Sequence, residues 1–234
     1  DSVGYPSLII VKLRRKKHLM IDYITVLTPT YNRAHLLPNL YHCLLNQSVF
    51  SFEWIVVDDG SDDETCTLFE KWTNENSPFK IFYYKQENGG KHRAVNNGVQ
   101  KASGQYTIIV DSDDELSFDA VESIIQWANM IDGNSEIAAV SGLKADSRTH
   151  VALGGIPNQL ENGGYIDAKN SQRRKYGLLG DKAEAYRTSL LKQHPFHEFD
   201  GENFLTEDSL WNEFSYNGLY VRWFGKIIYY CEYL

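Results

Sequence analysis

Hydrophobic positions along the chain switch repeatedly between a two-residue and a three-to-four-residue period. Residues 21–27 (IDYITVL) form a β-branched apolar run that reads as a strand and ends in Thr28-Pro29-Thr30. Pro38 then falls in the first turn of a segment with Leu37, Leu40, Tyr41, Leu44 and Leu45 on one face, the spacing of an amphipathic helix. The unit repeats: residues 52–57 (FEWIVV) predict a second strand, and Ser61 with Glu64 match a capping box opening a helix that buries Leu68, Phe69 and Trp72. Residues 81–84 predict a third strand, Asn88-Gly89-Gly90 breaks the chain, and residues 91–102 predict a helix packing Ala94, Val95, Val99 and Ala102. Residues 106–110 follow as a fourth strand. Ser117 is placed to cap a helix carrying Val121, Ile124, Ile125 and Ala128, and residues 137–140 predict a further short strand.

Strands alternating with helices imply an α/β fold whose central, mostly parallel sheet is flanked by helices on both faces. Beyond Gly142 the rhythm fails. Gly154-Gly155 and Gly163-Gly164 suggest turns, residues 183–191 and 207–216 read as helices, and residues 220–230 are strand-rich. The chain thus divides into a regular half, 20–141, and an irregular α+β half, 142–234, of the kind that shapes a substrate site. Residues 1–19 lie outside this pattern and are read as a leader or an extraneous remnant.

Composition narrows the class. Of 234 residues, 42% are hydrophobic and 23% charged, which excludes disorder and a coiled coil. Lys and Arg number 23 against 31 Asp and Glu, a net charge of −8 that disfavours general binding to nucleic acid. Cys43, Cys66 and Cys231 are odd in number and widely spaced, suggesting neither a disulfide framework nor a thiolate zinc site and fitting a reducing, cytoplasmic compartment. No run has the length of a membrane span. The basic string Lys12, Arg14, Arg15, Lys16, Lys17 offers a peripheral contact with the inner face of an anionic membrane as an alternative to a leader.

Three polar clusters follow predicted strands, where open α/β sheets bind ligands: residues 28–33 (TPTYNR), 58–61 (DDGS) and 111–115 (DSDDE). Each is also compatible with turn chemistry. Four carboxylates within residues 111–115 repel one another unless a cation compensates, and hard oxygen donors select Mg²⁺ or Mn²⁺. A solvated acidic loop is the plain alternative.

ITVLTPTYNR, WIVVDDGSDDET, ENGGKHRAVNNGVQKASGQY, IIVDSDDEL and FLTEDSLW, in that order, resemble a family 2 glycosyltransferase with the nucleotide-diphospho-sugar (GT-A) fold; the resemblance covers about residues 21–216. It implies that Pro29, Thr30 and Tyr31 line a base pocket, that Asp59 accepts a hydrogen bond from uracil, and that Lys91 and Arg93 contact a diphosphate. Asp111 resembles the residue facing the ribose and Asp113 the direct metal ligand, with Asp114 doing either job or stiffening the loop. Glu207-Asp208 resembles the late acidic pair, whose Asp is the general base in inverting members. Thr206 is expected to cap that helix, leaving Asp208 in its first turn, where the dipole favours negative charge.

The resemblance implies transfer of a sugar from a nucleotide-diphospho-sugar, expected to be a UDP-sugar, with inversion, to a hydroxyl of a glycan or lipid-linked saccharide. Residues 20–141 would hold the donor and residues 142–234 the acceptor, with Trp211 and Glu207 as acceptor-side candidates and Gly180-Asp181-Lys182 as an acceptor-side loop. Some relatives add a histidine ligand after the acidic pair. Here no His follows His197, so either that ligand is not used or a C-terminal part is missing. The rivals are a sugar-1-phosphate nucleotidyltransferase, whose Gly-rich basic loop after the first strand is absent; a non-catalytic nucleotide-sugar-binding module; and, more remotely, an aspartyl phosphotransferase using Asp111.

Overall fold

The computed structural model describes residues 24–199, 201–203 and 205–232. The leader, its basic string and residues 21–23 of the first strand lie outside the described residues. Four strands, β1 (Ile24–Thr30), β2 (Phe52–Asp58), β3 (Lys80–Lys85) and β4 (Tyr106–Ile109), pair in parallel in the order β3-β2-β1-β4. β1 and β2 are buried along their whole length, which explains why they read as continuous apolar runs.

Helices α1 (Leu37–Leu45), α2 (Thr65–Asn74) and α3 (Lys91–Lys101) supply the crossovers. Tyr41, Trp54, Phe69 and Trp72 make one aromatic cluster between α1, α2 and β2, with Tyr41 stacked on Trp72 at 4.4 Å and on Trp54 at 6.0 Å. On the other face, α3 lies so close to β1 that a Cβ added at Gly98 would stand 2.2 Å from Leu27 Cδ1.

The second half extends the same sheet with strands running in both directions. β5 (Glu115–Leu116) and α4 (Ala120–Met130) lead into β6 (Ile137–Asp146). After β7 (Tyr165–Ala168) comes β8 (Lys182–Arg187), which inserts antiparallel between β4 and β6; α5 (Thr188–Gln193) and α6 (Asp208–Tyr216) precede the last strand, β9 (Tyr220–Cys231), which runs parallel to β6. The sheet is therefore parallel over its first four strands and mixed beyond them.

Residues 183–191, read as one helix, are strand as far as Arg187 and helical only from Thr188. Ala, Glu and Leu carry a helical propensity that pairing on two edges overrides. Three expected caps also fail. Asp63, not Ser61, accepts from the Thr65 amide at α2, because Ser61 is held by Asp58 and Asn32. Ser117 bonds to Asp119 and α4 begins at Ala120. Thr206 offers α6 its carbonyl, to Ser209, and no side-chain cap.

Candidate active site

The carboxyl ends of β1, β2 and β4 open on one side of the sheet. There the 28–33 and 58–63 segments are laced together: Asp59 N–H donates to Thr30 O at 2.8 Å, Asn32 N–H to Ser61 Oγ at 2.9 Å, and Asp62 N–H to Asn32 Oδ1 at 2.9 Å. Asn32 takes a positive φ of 51°, a conformation its short polar side chain tolerates. The lacing leaves Tyr31 half exposed at the lip of a cavity of about 340 Å³, lined by Pro29, Thr30, Tyr31, Arg33, Asp59, Lys91, Asp111, Ser112 and Asp113.

Asp59 is buried at the back of this lobe. Its carboxylate accepts from Gly89 N–H at 2.9 Å, Gly90 N–H at 2.7 Å and Gln86 Nε2 at 2.8 Å. It therefore fixes the Asn88-Gly89-Gly90 turn and through it the start of α3. Gly90 has φ 97°, and a Cβ there would stand 2.0 Å from the Asn203 carbonyl oxygen, so only glycine serves. Thr30 Oγ1 faces this region buried and without a hydrogen-bond partner, the condition of a group awaiting a ligand or a water.

A second lobe of about 280 Å³ adjoins the first and shares Lys91 and Asp111 with it; Lys144, Arg173, Asp181, Lys182, Glu184, Leu205, Thr206, Glu207, Asp208 and Trp211 complete its wall. Lys91, from the first turn of α3, spans the junction, 2.6 Å from Asp111 Oδ1 and 3.0 Å from Glu207 Oε1. Burial works against its charge, but the Glu207 and Asp111 carboxylates outweigh that and hold its pKa above the usual lysine range.

Asp113 is half exposed and pairs with Arg33 at 3.3 Å. Asp114 turns away: the buried Tyr229 hydroxyl donates to it at 2.6 Å, and burial pushes its carboxyl up to about 6 against the pull of that hydrogen bond. Asp114 lines neither lobe.

Of the residues singled out from the sequence, Pro29, Thr30, Tyr31, Asp59, Lys91, Asp111 and Asp113 thus share one lobe, and Glu207, Asp208 and Trp211 the next. Arg93 lines neither. It donates to the carbonyls of Gly89, Phe199 and Glu202 and so ties Phe199 and Glu202 to the start of α3. Trp211 contributes an edge to the second lobe, but its ring is stacked on Tyr186 at 4.1 Å and 12° and is buried. That stack clamps α6 to β8 and sets Glu207 and Asp208 at the rim.

Arg33, Glu184, Lys144 and Arg173 line the cavity without having been singled out. Arg33 sits in the TPTYNR cluster itself, and the alternation of Lys182, Glu184 and Tyr186 with Ala183 and Ala185 is a strand signal that points the three toward one face.

Comparison with known proteins bears on the family and the fold. The profile described as "Glycosyl transferase family 2" matches residues 25–194. The chain is 27% identical over 200 residues to the GalNAc(5)-diNAcBac-PP-undecaprenol beta-1,3-glucosyltransferase of Campylobacter jejuni, covering 85% of this chain and 62% of that protein. It is 28% identical over 196 residues to the poly(ribitol-phosphate) beta-N-acetylglucosaminyltransferase TarS of Staphylococcus aureus, 82% of this chain and 32% of TarS.

Among solved structures, TarS 1–349 in complex with UDP-GlcNAc superposes with a TM-score of 0.66 at 24% identity, over 91% of this chain and 59% of that one. A mannosyltransferase from Pyrobaculum calidifontis in complex with GDP-Man and Mn²⁺ gives 0.60 at 18%, over 87% and 54%. The chain thus spans less than two thirds of these relatives' lengths, and its layered sheet is the expected GT-A fold. With the family profile matching most of its length, the chain belongs to glycosyl transferase family 2.

Proposed function

We propose that the two adjoining lobes form one site that moves a sugar, with inversion, from a UDP-sugar to a hydroxyl of a glycan or lipid-linked saccharide. The observation that carries this reading is convergence: Asp59, Asp111 and Asp113 from the first half and Asp208 from the second line a continuous cavity whose lobes meet at Lys91. The TarS structures with UDP and UDP-GlcNAc support uridine as the base, and the name of the Campylobacter relative supports a lipid-linked acceptor. Action in the cytoplasm, at the inner face of a membrane where the acceptor is lipid-linked, follows from that reading. No described helix is long and apolar enough to cross a membrane.

The donor set suits a divalent ion completed by substrate. Among the described residues no group of three or more His, Cys, Asp or Glu could by itself hold a metal. Mg²⁺ and Mn²⁺ sites that take substrate phosphates need only one or two carboxylates, which Asp113 and Asp111 supply as hard oxygen donors on the open side of the lobe. When bound there, such an ion supplies charge neutralisation for the departing diphosphate. The pairs Arg33–Asp113 and Lys91–Asp111 are at least a third exposed, so they hold the carboxylates weakly enough to be exchanged. Arg33 and Lys91 are then free to donate to phosphate oxygens.

Asp208, on the opposite lobe, accepts the proton of the attacking hydroxyl. Attack from that side displaces the diphosphate in line and inverts the anomeric centre.

Calorimetric titration of UDP, GDP, dTDP and CDP, each with and without Mn²⁺, tests the donor reading. UDP is expected to bind best, Mn²⁺ to tighten it, and Asp113→Ala to remove the gain. A preference for GDP overturns the base assignment, and binding indifferent to both the ion and Asp113 overturns the metal role.

A further inference from the structure

Below the second lobe the cavity narrows to a pit of about 10 Å³, walled in part by Thr107, Glu184, Tyr186 and Trp211. Alternation along β8 puts Lys182, Glu184 and Tyr186 on the face that lines it. The Lys182 ammonium is engaged by the backbone carbonyls of Leu153, Leu179 and Gly180. Tyr186 is not: its hydroxyl is fully buried with no hydrogen-bond partner among the described residues. Glu184, half-buried beside it, accepts from its own backbone N–H and faces the charges of Arg173 and Lys144, which leaves its carboxylate with acceptor positions to spare.

Buried polar groups are as a rule hydrogen-bonded. Here an unpartnered phenol donor and a carboxylate with spare acceptor positions line the same pit, beneath the second lobe. The pit has room for about one oxygen atom, the lower bound for a single water. A hydroxyl satisfies both groups at once, accepting from the Tyr186 phenol and donating to the Glu184 carboxylate. An acetamido group is too large for it.

We propose that Glu184 and Tyr186 form the specificity element for the transferred sugar, receiving one of its ring hydroxyls and selecting a sugar that carries it over the deoxy analogue. This rests on the donor reading above. Burial pushes the Glu184 carboxyl up to about 7, against the pull of Arg173 and Lys144, and the Tyr186 phenol well above its ordinary value.

The test is calorimetry of UDP first, then UDP-glucose, UDP-galactose and UDP-N-acetylglucosamine, then the monodeoxy analogues of the best binder, on the wild type, Glu184→Gln and Tyr186→Phe. UDP affinity is expected to be equal in all three proteins, which also shows that the variants fold. Affinity for the best UDP-sugar is expected to fall about 10- to 100-fold in each variant, the scale of one hydrogen bond to a charged group. One deoxy analogue should show the same deficit on the wild type and no further deficit on Glu184→Gln. UDP-sugar affinity unchanged in both variants, as expected if only a water fills the pit, overturns the proposal. Failure of the wild type to bind UDP at all overturns the donor reading and this inference with it.

Discussion

Asp59 shows how a single side chain serves both architecture and site. Its carboxylate accepts from two consecutive backbone amides and from Gln86, all within 2.9 Å. Asp59→Asn turns one acceptor into a donor that faces an N–H, a mismatch expected to cost about 1–3 kcal/mol in chemical denaturation. The same change should loosen the glycine turn and weaken nucleotide binding; unchanged stability would mean that the turn holds itself. Glu184 carries a pH signature. Its folded pKa, about 7, lies above the ordinary glutamate value. Between the two, the native state binds more protons than the unfolded one, so the stability that this group contributes is present at low pH and lost as pH rises toward 7. Its charged neighbours Lys144, Arg173, Lys182, Asp181 and Glu207 are common to wild type and variant. The difference between them isolates Glu184: Glu184→Gln should gain on the wild type by on the order of 2–3 kcal/mol at pH 8 relative to pH 5, measured by denaturant titration. A constant difference would show that the carboxyl titrates normally.

Helix α3 is the element on which the site hangs, since its first turn carries Lys91 and its packing face rests on β1. Gly90→Ala places a methyl group against the Asn203 carbonyl at a φ of 97° and is expected to destabilise by about 2–3 kcal/mol and displace Asn203. Gly133→Ala, also at positive φ but in open space, should cost only about 1 kcal/mol. Equal losses would mean that strain alone, and not the close approach, is at work. The regular elements of the first half were legible because fully buried parallel strands and amphipathic helices leave distinct periods, as residues 52–57 and 91–102 show. β8 was not. Its composition favours a helix, and its strand state comes from pairing with β4 and β6, neither of which a local window contains. The caps failed for the same kind of reason: Ser61 was already bound to a distant loop through Asn32.

At the scale of the whole molecule, the sheet brings together carboxylates more than a hundred residues apart in the chain. Five short motifs in order carried enough information to identify the family and most of the cavity wall, because strand ends fix where loops emerge. What they did not carry was side-chain direction. Asp114 turns to Tyr229 and Arg93 to Phe199, choices made by tertiary partners. The central claim is that Asp208 acts across the junction from the donor lobe as general base. It is tested most directly by following UDP-sugar turnover by proton NMR, with water as acceptor, in the wild type and Asp208→Asn. From an α-linked donor the β-anomer should appear first, and the variant should bind UDP as the wild type does yet turn over about 10²- to 10⁴-fold more slowly. Release of the α-anomer first, or undiminished turnover in Asp208→Asn, would contradict the account.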